Sequence, residues 1–472
     1  MKNRTTLIVF LQVFIFLLSI QTQAQIVMYG ETGWGGTYNG GTIFSITPNG
    51  NLSIVSNLNP VFAAQPGGSL FYASDGNFYA SSFQGGYGDS CTIFRCTPNG
   101  SLKTMINLDT VWGLCAPYGN KLIEGLDGNL YGMLSNGGNY GDGLIFKLEL
   151  SGYYTAIHFF SGTDGMDPFG SLIQTSDSTF WGVTGYGGTY GKGTIFKCTT
   201  TGVLTSVFSF NTPDGSVPSQ DLVLANDGNF YGLCYNGGKY GFGTLFKYNP
   251  VGGFTKLVDF DSINGSTPAG SLIQASDNNL YGLTSKGGTK GDYGTLFVCT
   301  LSGTLTTLVS FNDSDGASPN SSLLQASDGY LYGTTYSGGK FNLGTIFQCS
   351  TTGSLKKLVD LDSTIGVTPN GNLIEVDNLT TGLNKITTTN SPSLFPNPNN
   401  GQFTIQINAG KSNPIIEKIE IYNVVGEKVF SQSTMNNSQF TITLNQPAGV
   451  YLYRVTDNSG NMIGEGKFVV GK

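Results

Sequence analysis

The feature that most constrains this chain is a self-similar unit of about fifty residues. The aromatic of a YG-type pair recurs at Tyr29, Tyr79, Tyr131, Trp181, Tyr231, Tyr281 and Tyr332, with successive spacings of 50, 52, 50, 50, 50 and 51. The phenylalanine of a GTIF-like segment keeps the same beat at Phe44, Phe94, Phe146, Phe196, Phe246, Phe297 and Phe347. A fixed period of this length marks a repeat architecture, in which each unit buries its apolar face only against its neighbours. In one unit four short apolar stretches alternate with turns: SLIQAS (271–276), LYGLTS (280–285), GTLFVCT (294–300) and TLTTLVSF (304–311). The first two are joined by DNN, elsewhere by DGN, residues that accept the positive φ of a tight hairpin. Four strands per unit describe the blade of a β-propeller, and seven units predict seven blades.

The phase of the repeat says how the ring closes. Beyond the leader the chain starts at a second strand (IVMYG), and the last copy stops after a first strand (NLIEV, 372–376). One blade must therefore be assembled from both ends, with 372–376 pairing beside 26–32. Closure removes two open sheet edges. It also ties together ends about 350 residues apart, at a loop-closure cost of roughly 5 kcal/mol. Ladder hydrogen bonds worth about 1 kcal/mol net each, with burial between blades, must offset it.

Composition agrees. The 472 residues include 69 glycines, 24 tyrosines and 31 phenylalanines, with only 11% charged, which suits short strands and tight turns. Residues 1–24 read as a secretory signal peptide: Lys2 and Arg4, an apolar run from Leu7 to Ile20, and a small-residue cleavage site after Ala24. No later stretch is apolar enough to predict a membrane span in the mature chain. A formal charge of −7 without a basic run argues against nucleic acid or an anionic membrane as partner. Residues 25–376 form the expected propeller, 377–392 a threonine-rich linker, and 393–472 a second, small β domain. Its alternating stretches FTIQI, KIEIYNVVG, FTITL and VYLYRV predict a β-sandwich.

Strand direction places candidate function. The links after second and fourth strands share one face, and the tight turns share the other. Each loop after a second strand carries an aromatic: Tyr38, Tyr87, Tyr140, Tyr190, Tyr240, Tyr293 and Phe341. Two readings stand: each ring packs over its own loop's glycines or a neighbouring blade, or the rings form a circle of platforms for sugar rings or an extended polymer. Of seven cysteines, Cys96, Cys198, Cys299 and Cys349 share one repeated position and read as buried small hydrophobes. Cys91 ends an aromatic loop and Cys115 lies in the link leaving the same unit, both on the long-link face, so they are the candidate disulfide.

Signals for catalysis are thin. His158 is the single histidine, and aligned units place Phe208, Val258 and Val309 there, so it reads as a packing residue. A Ser-His-Asp site needs a carboxylate orienting the imidazole, for which the sequence holds no signal. SDGNFY and SDSTFW differ in spacing from sialidase aspartate boxes, and the propeller has one arginine, Arg95. Asp164, Asp167, Asp214, Asp313 and Asp315 in the links offer a carboxylate-pair alternative, although DG is ordinary turn chemistry. The same aspartates offer oxygen ligands to a structural calcium without EF-hand spacing; no catalytic metal or other cofactor is expected.

Two stretches resemble known families. LFPNPNNGQFTI, IEIYNVVGEKV, LNQPAGVYLYRV and the terminal GKFVV resemble, in order, the C-terminal sorting domain of the type IX secretion system, of a type A-like form. The residues carrying the match are Phe395, Pro396, Asn397, Pro398, Gly401, Tyr422, Gly426, Gly449 and Tyr451. The DGNLYG…GG…GTIF units over 26–376 are similar to the GloVer tandem repeats of exported bacterial proteins, which bring no established activity. The resemblance implies export through the periplasm by the type IX machinery, removal of the sorting domain, and attachment at the cell surface or release. The expectation is an all-β protein: a seven-bladed β-propeller closed by its N- and C-terminal strands, then a small C-terminal β-sandwich. Its expected role is a binding or interaction module for a polysaccharide or surface protein. The alternatives are a polysaccharide-active hydrolase or lyase and a purely structural surface protein.

Overall fold

The computed structural model describes residues 26–87, 91–108, 121–218, 220–369, 371–376, 392–395, 402–407, 416–423, 428–435, 439–447, 449–457 and 462–470. Among them every helix or strand assigned is a strand. The chain divides into two compact units, Met1–Leu379 and Thr380–Lys472. The leader, residues 377–391 and Cys115 lie outside the described residues.

In the first unit each repeat forms its own antiparallel sheet. One runs in chain order through Ile173–Gln174, Phe180–Thr184, Thr194–Cys198 and Leu204–Ser209. The sheet holding the N-terminal strand Met28–Thr32 takes its fourth strand from the far end of the repeat region. There Met28 pairs with Glu375 and Tyr29 with Ile374. The expected joining of the two ends is thus present. Some links also carry strand pairing: Ala64–Pro66 and Ser216–Pro218 pair with the adjacent second strands, and Ser266–Gln274 is continuous.

The two repeated motifs recur together because they touch. Gly182 lies opposite Phe196 in the ladder, and a Cβ on Gly182 would stand 2.6 Å from the Phe196 ring. Gly232 and Phe246 repeat this at 2.5 Å. The glycine is bare so that the ring can lie on it. A register shift falls beside that phenylalanine in every sheet of the repeat, as at Ile195/Phe196 and Leu245/Phe246, and such bulges increase strand twist. Sheet-to-sheet burial then joins the units: Tyr231, Leu233 and Leu245 of one share a core cluster with Leu280, Phe297 and Cys299 of the next.

The DGN turn is a hub around its aspartate. Asp227 accepts the Asn229 backbone N–H at 3.1 Å, the Asn229 side chain at 2.7 Å and the Tyr231 hydroxyl at 2.9 Å. Asp277 does the same for Asn279 and Tyr281. A buried hydroxyl pair sits at the other end of the second strand, Thr184 with Thr194 and Thr284 with Thr295, both at 2.8 Å.

The repeated cysteines are buried and free. Burial pushes the Cys96 and Cys198 thiols up to about 12 and those of Cys299 and Cys349 to about 11. Cys91 is disulfide-bonded.

The second unit forms two sheets. One orders Pro392–Phe395, Gln402–Ile407 and Gln439–Thr443; the other orders Lys428–Met435, Ile416–Asn423, Gly449–Asp457 and Met462–Val470. A single cluster draws Phe403 and Ile442 from the first and Ile419, Ile421, Tyr453 and Val455 from the second. Tyr451 is buried, its hydroxyl donating to the Pro447 carbonyl at 2.7 Å. Tyr422 donates to Glu420 at 2.8 Å, a carboxylate also held by Lys418 and Lys428. Phe395 and Gly449 stand in strands, whereas Pro396, Asn397, Pro398, Gly401 and Gly426 lie outside the described residues.

Candidate functional site

Backbone pairing puts both classes of long link on one face. Trp34, after a second strand, bridges Val367, after a fourth; Met166 bridges Tyr186 and Ala317 bridges Ser337 in the same way. Five of the aromatic loops are pinned at their start to the end of a fourth strand, those of Tyr38 and Tyr293 through Thr37 to Asn57 and Thr289 to Ser310. The Thr189 N–H donates to Ser209 Oγ at 3.2 Å, Lys239 N–H to Asp259 at 2.7 Å, and Lys340 N–H to Asp360 at 2.8 Å. Two glycines make that path available. Gly188 (φ 74°) would press a Cβ to 2.6 Å from Thr194 Cγ2, and Gly193 (φ 103°) to 2.4 Å from the Thr184 carbonyl oxygen.

The rings at the tips mostly face solvent. Tyr38, Tyr87, Tyr140, Tyr190, Tyr240 and Phe341 are 47 to 85% exposed. Tyr293 departs from them. It lies in the loop that is one residue longer, where its ring covers Gly291 and packs beside the core under its unit. Lys239 and Lys340 sit over the Tyr240 and Phe341 rings, each 4.8 Å from the centroid. The reading of each ring as a lid on its own loop therefore describes Tyr293, while the other six present aromatic surface.

A second aromatic group lies inward of the tips, and the sequence reading missed it. Trp34, Phe83, Tyr235 and Tyr336 line a cavity of about 810 Å³ on the long-link face. They stand one or two residues before the repeated GG, as does Tyr186, but Ser135 and Ser285 take the place in two units. The shifting offset hid the pattern. Below this cavity the two-residue first strands of several sheets line another of about 800 Å³.

Side chains on those first strands and two residues before them stitch neighbouring sheets into two belts. In one, backbone N–H groups donate from Ser171 to Asp221, Asp221 to Ser271, Ser271 to Ser322, Ser322 to Asn372, and Asn372 to Ser69, over 2.6 to 3.1 Å. In the other, Glu124, Gln174, Gln274, Gln325 and Glu375 accept from the preceding unit's turn, at Ser74, Leu126, Asn226, Ser276 and Ser327. Each contact crosses a sheet boundary.

One expectation is corrected. A carboxylate does orient His158: Asp164 lies 3.0 Å from Nε2, while Nδ1 meets the Gly202 carbonyl of the next sheet at 3.2 Å. The reason lies in the fold, which returns the link to the strand end six residues on. With both ring nitrogens engaged, the imidazole clamps two sheets and has none left to activate a nucleophile. The other link aspartates serve turns. Asp214 donates its N–H to Asn211, Asp315 is bonded twice to Asn312, and the Asp313 carbonyl accepts from Gly339. Asp167 differs: burial, and then the neighbouring Asp142 charge, raise its carboxyl above the usual range. Among the described residues no group of three or more His, Cys, Asp or Glu side chains is arranged to hold a metal ion.

Comparisons bear on both units. The Gloeobacter/Verrucomicrobia repeat family matches residues 117–325 and 273–418. The secretion system C-terminal sorting domain matches 393–470. No curated protein matches the sequence. Among solved structures, a candidate 6-phosphogluconolactonase from Bacteroides fragilis is similar with a TM-score of 0.52 at 19% identity, over 76% of this chain and 99% of that one. A second such protein from Bacteroides uniformis gives 0.52 at 15%, over 75% and 100%. A lectin from Burkholderia pseudomallei gives 0.50 at 7%, over 72% and 99%. At these identities the likeness is one of fold: all-β and propeller-like.

Proposed function

Because the chain belongs to the Gloeobacter/Verrucomicrobia repeat family and ends in a type IX sorting domain, we propose that it is an exported binding module whose long-link face grips a polysaccharide or another extended surface polymer. The sorting domain implies handling by the type IX machinery and delivery to the cell surface or beyond it. In this reading the repeat sheets are the seven blades of one closed propeller, residues 1–24 are removed as a signal peptide, and Cys91 pairs with Cys115. The two C-terminal sheets pack as a sandwich that is cut off after export. The observation that carries the binding role is the exposure of six loop-tip aromatics on one face. Exposed rings on short, pinned loops lose little freedom on binding and offer flat apolar surface to the C–H faces of sugars.

The test is a pull-down on insoluble polysaccharides with the mature chain beside a Tyr140→Ala, Tyr190→Ala, Tyr240→Ala variant. The wild type is expected to be retained by at least one polymer, and the folded variant to be released. Equal retention of both would remove the tips from the site.

A second reading, a polysaccharide hydrolase or lyase, is favoured by one observation: the neighbouring carboxyls of Asp142 and Asp167, one of them held toward its neutral form. Release of reducing or unsaturated ends from a bound polymer, lost in Asp167→Asn, is its expected signature.

A further inference from the structure

We propose that the inner cavity on the long-link face is a separate binding site, for a short neutral saccharide. The proposal does not depend on the loop-tip reading, since it uses different residues. Trp34, Tyr235 and Tyr336 line this recess yet remain 37 to 43% exposed, with Phe83 beside them partly buried. Large rings left half uncovered inside a concavity, where packing against a neighbour would have hidden them, mark surface kept for a ligand.

The polar lining narrows the ligand class. Gln65 Nε2 donates to Gln84 Oε1 at 2.9 Å. That bond orients both amides and leaves the Gln65 carbonyl as acceptor and the Gln84 amide as donor. An adjacent donor and acceptor beside an aromatic plane is the complement of a vicinal diol on a pyranose ring. Charge points the same way. Among the described residues the lining holds one cation, Lys121, and one carboxylate, Asp221, with no arginine. A uronate, sulfate or phosphate would need a cationic clamp that this lining lacks.

The recess is also preorganised. Trp34 exchanges both backbone hydrogen bonds with Val367 (3.3 and 2.8 Å), and the Tyr336 N–H donates to the Ser318 carbonyl at 3.2 Å. Gln65 is held at φ 55° with its N–H on the Gly40 carbonyl. Asp221 is fixed within the belt beneath. Platforms that do not move on binding forfeit little entropy.

The experiment is calorimetric titration of the mature chain with cellohexaose, laminarihexaose, xylohexaose, mannohexaose and tri-galacturonate. Tryptophan emission is followed in parallel. At least one neutral hexasaccharide is expected to bind and shift the emission, and tri-galacturonate not to bind. Tyr336→Ala and Gln84→Ala are each expected to weaken binding at least tenfold, and Trp34→Phe to abolish the emission change. If no neutral sugar binds, if the charged sugar binds instead, or if folded Tyr336→Ala and Gln84→Ala titrate unchanged, the assignment is overturned. Loss only in the loop-tip variant would overturn it too, while supporting the outer rings. Should Tyr336→Ala fail to fold, Gln84→Ala and the Trp34 emission still decide.

Discussion

Glu31 is the residue that fits its surroundings least. It lies opposite Ile43, where other units place Leu233 or Leu283 against an apolar partner. It is fully buried, and neither oxygen has a hydrogen-bond partner among the described residues. Burial pushes its carboxyl well above the usual range, so the folded chain binds a proton that the unfolded chain releases above about pH 4.5. Stability from this group is therefore complete below that pH and is lost as pH rises toward the folded value. Glu31→Leu is expected to raise the melting temperature more at pH 7.5 than at pH 4.5. Equal shifts at both would show that the carboxyl is not neutral when folded. Backbone strain reads differently. Gln65, Asp167, Val217, Thr267, Ser318 and Thr368 all take φ between 49 and 55° before a proline. Strain repeated in this many units belongs to the scaffold, with each N–H pairing to a neighbouring loop, as Val217 does with the Lys192 carbonyl.

Two elements recur in most of the sheets, the DGN-type hairpin and the glycine–phenylalanine contact. Burial opposes ionisation of Asp227 and Asp277, but bonds from the asparagine side chain and backbone and from the tyrosine hydroxyl outweigh it and hold both carboxyls low. The tyrosines move up, through burial and then the bond to aspartate. Depressed carboxyls contribute stability above about pH 4 that is lost as pH falls through their folded values; raised phenols contribute stability below about pH 10 that is lost as pH climbs through theirs. These hubs are expected to give a stability plateau with losses at both ends. A Tyr231→Phe, Tyr281→Phe variant should soften the alkaline loss, and an unchanged alkaline limb in equilibrium unfolding would dismiss the hub. At the second element, Gly232→Ala forces a methyl against the Phe246 ring and is expected to cost about 1–3 kcal/mol by overpacking. Phe246→Leu in the same chain should recover part of that, and additive losses in urea melts would refute the contact. Ala80 opposite Phe94 shows that one unit already accommodates the methyl.

At the scale of the molecule the decisive bond is between the two ends of the repeat region. Met28 and Tyr29 have Glu375 and Ile374 as partners, and Glu375 further holds Ser327 of the preceding sheet. Closure costs roughly 5 kcal/mol of chain entropy, and the gain spreads over that ladder, both belts and the cluster joining Met28, Phe44 and Leu373. A chain ending at residue 370 is expected to unfold over a broader urea range, with a smaller m-value, than one ending at 376. Superimposable transitions would mean that the ends do not carry cooperativity.

Period, strand order and the pairing of the ends were legible because a repeat writes its own alignment: Tyr29 to Tyr332 and Phe44 to Phe347 mark the same place in every sheet. The export destination was legible because sorting motifs are read as linear sequence. What the long-link face presents was not. Tyr293 turns onto Gly291 while Tyr190 faces water, and Asp164 reaches His158, through loop paths that side-chain identity alone does not specify. Trp34, Phe83, Tyr235 and Tyr336 come from different units at different offsets, so their convergence on one recess exists only once the sheets are set side by side. Sequence determines what each unit can bury against the next; the tertiary structure decides which rings are left over, because exposure depends on where neighbouring units end.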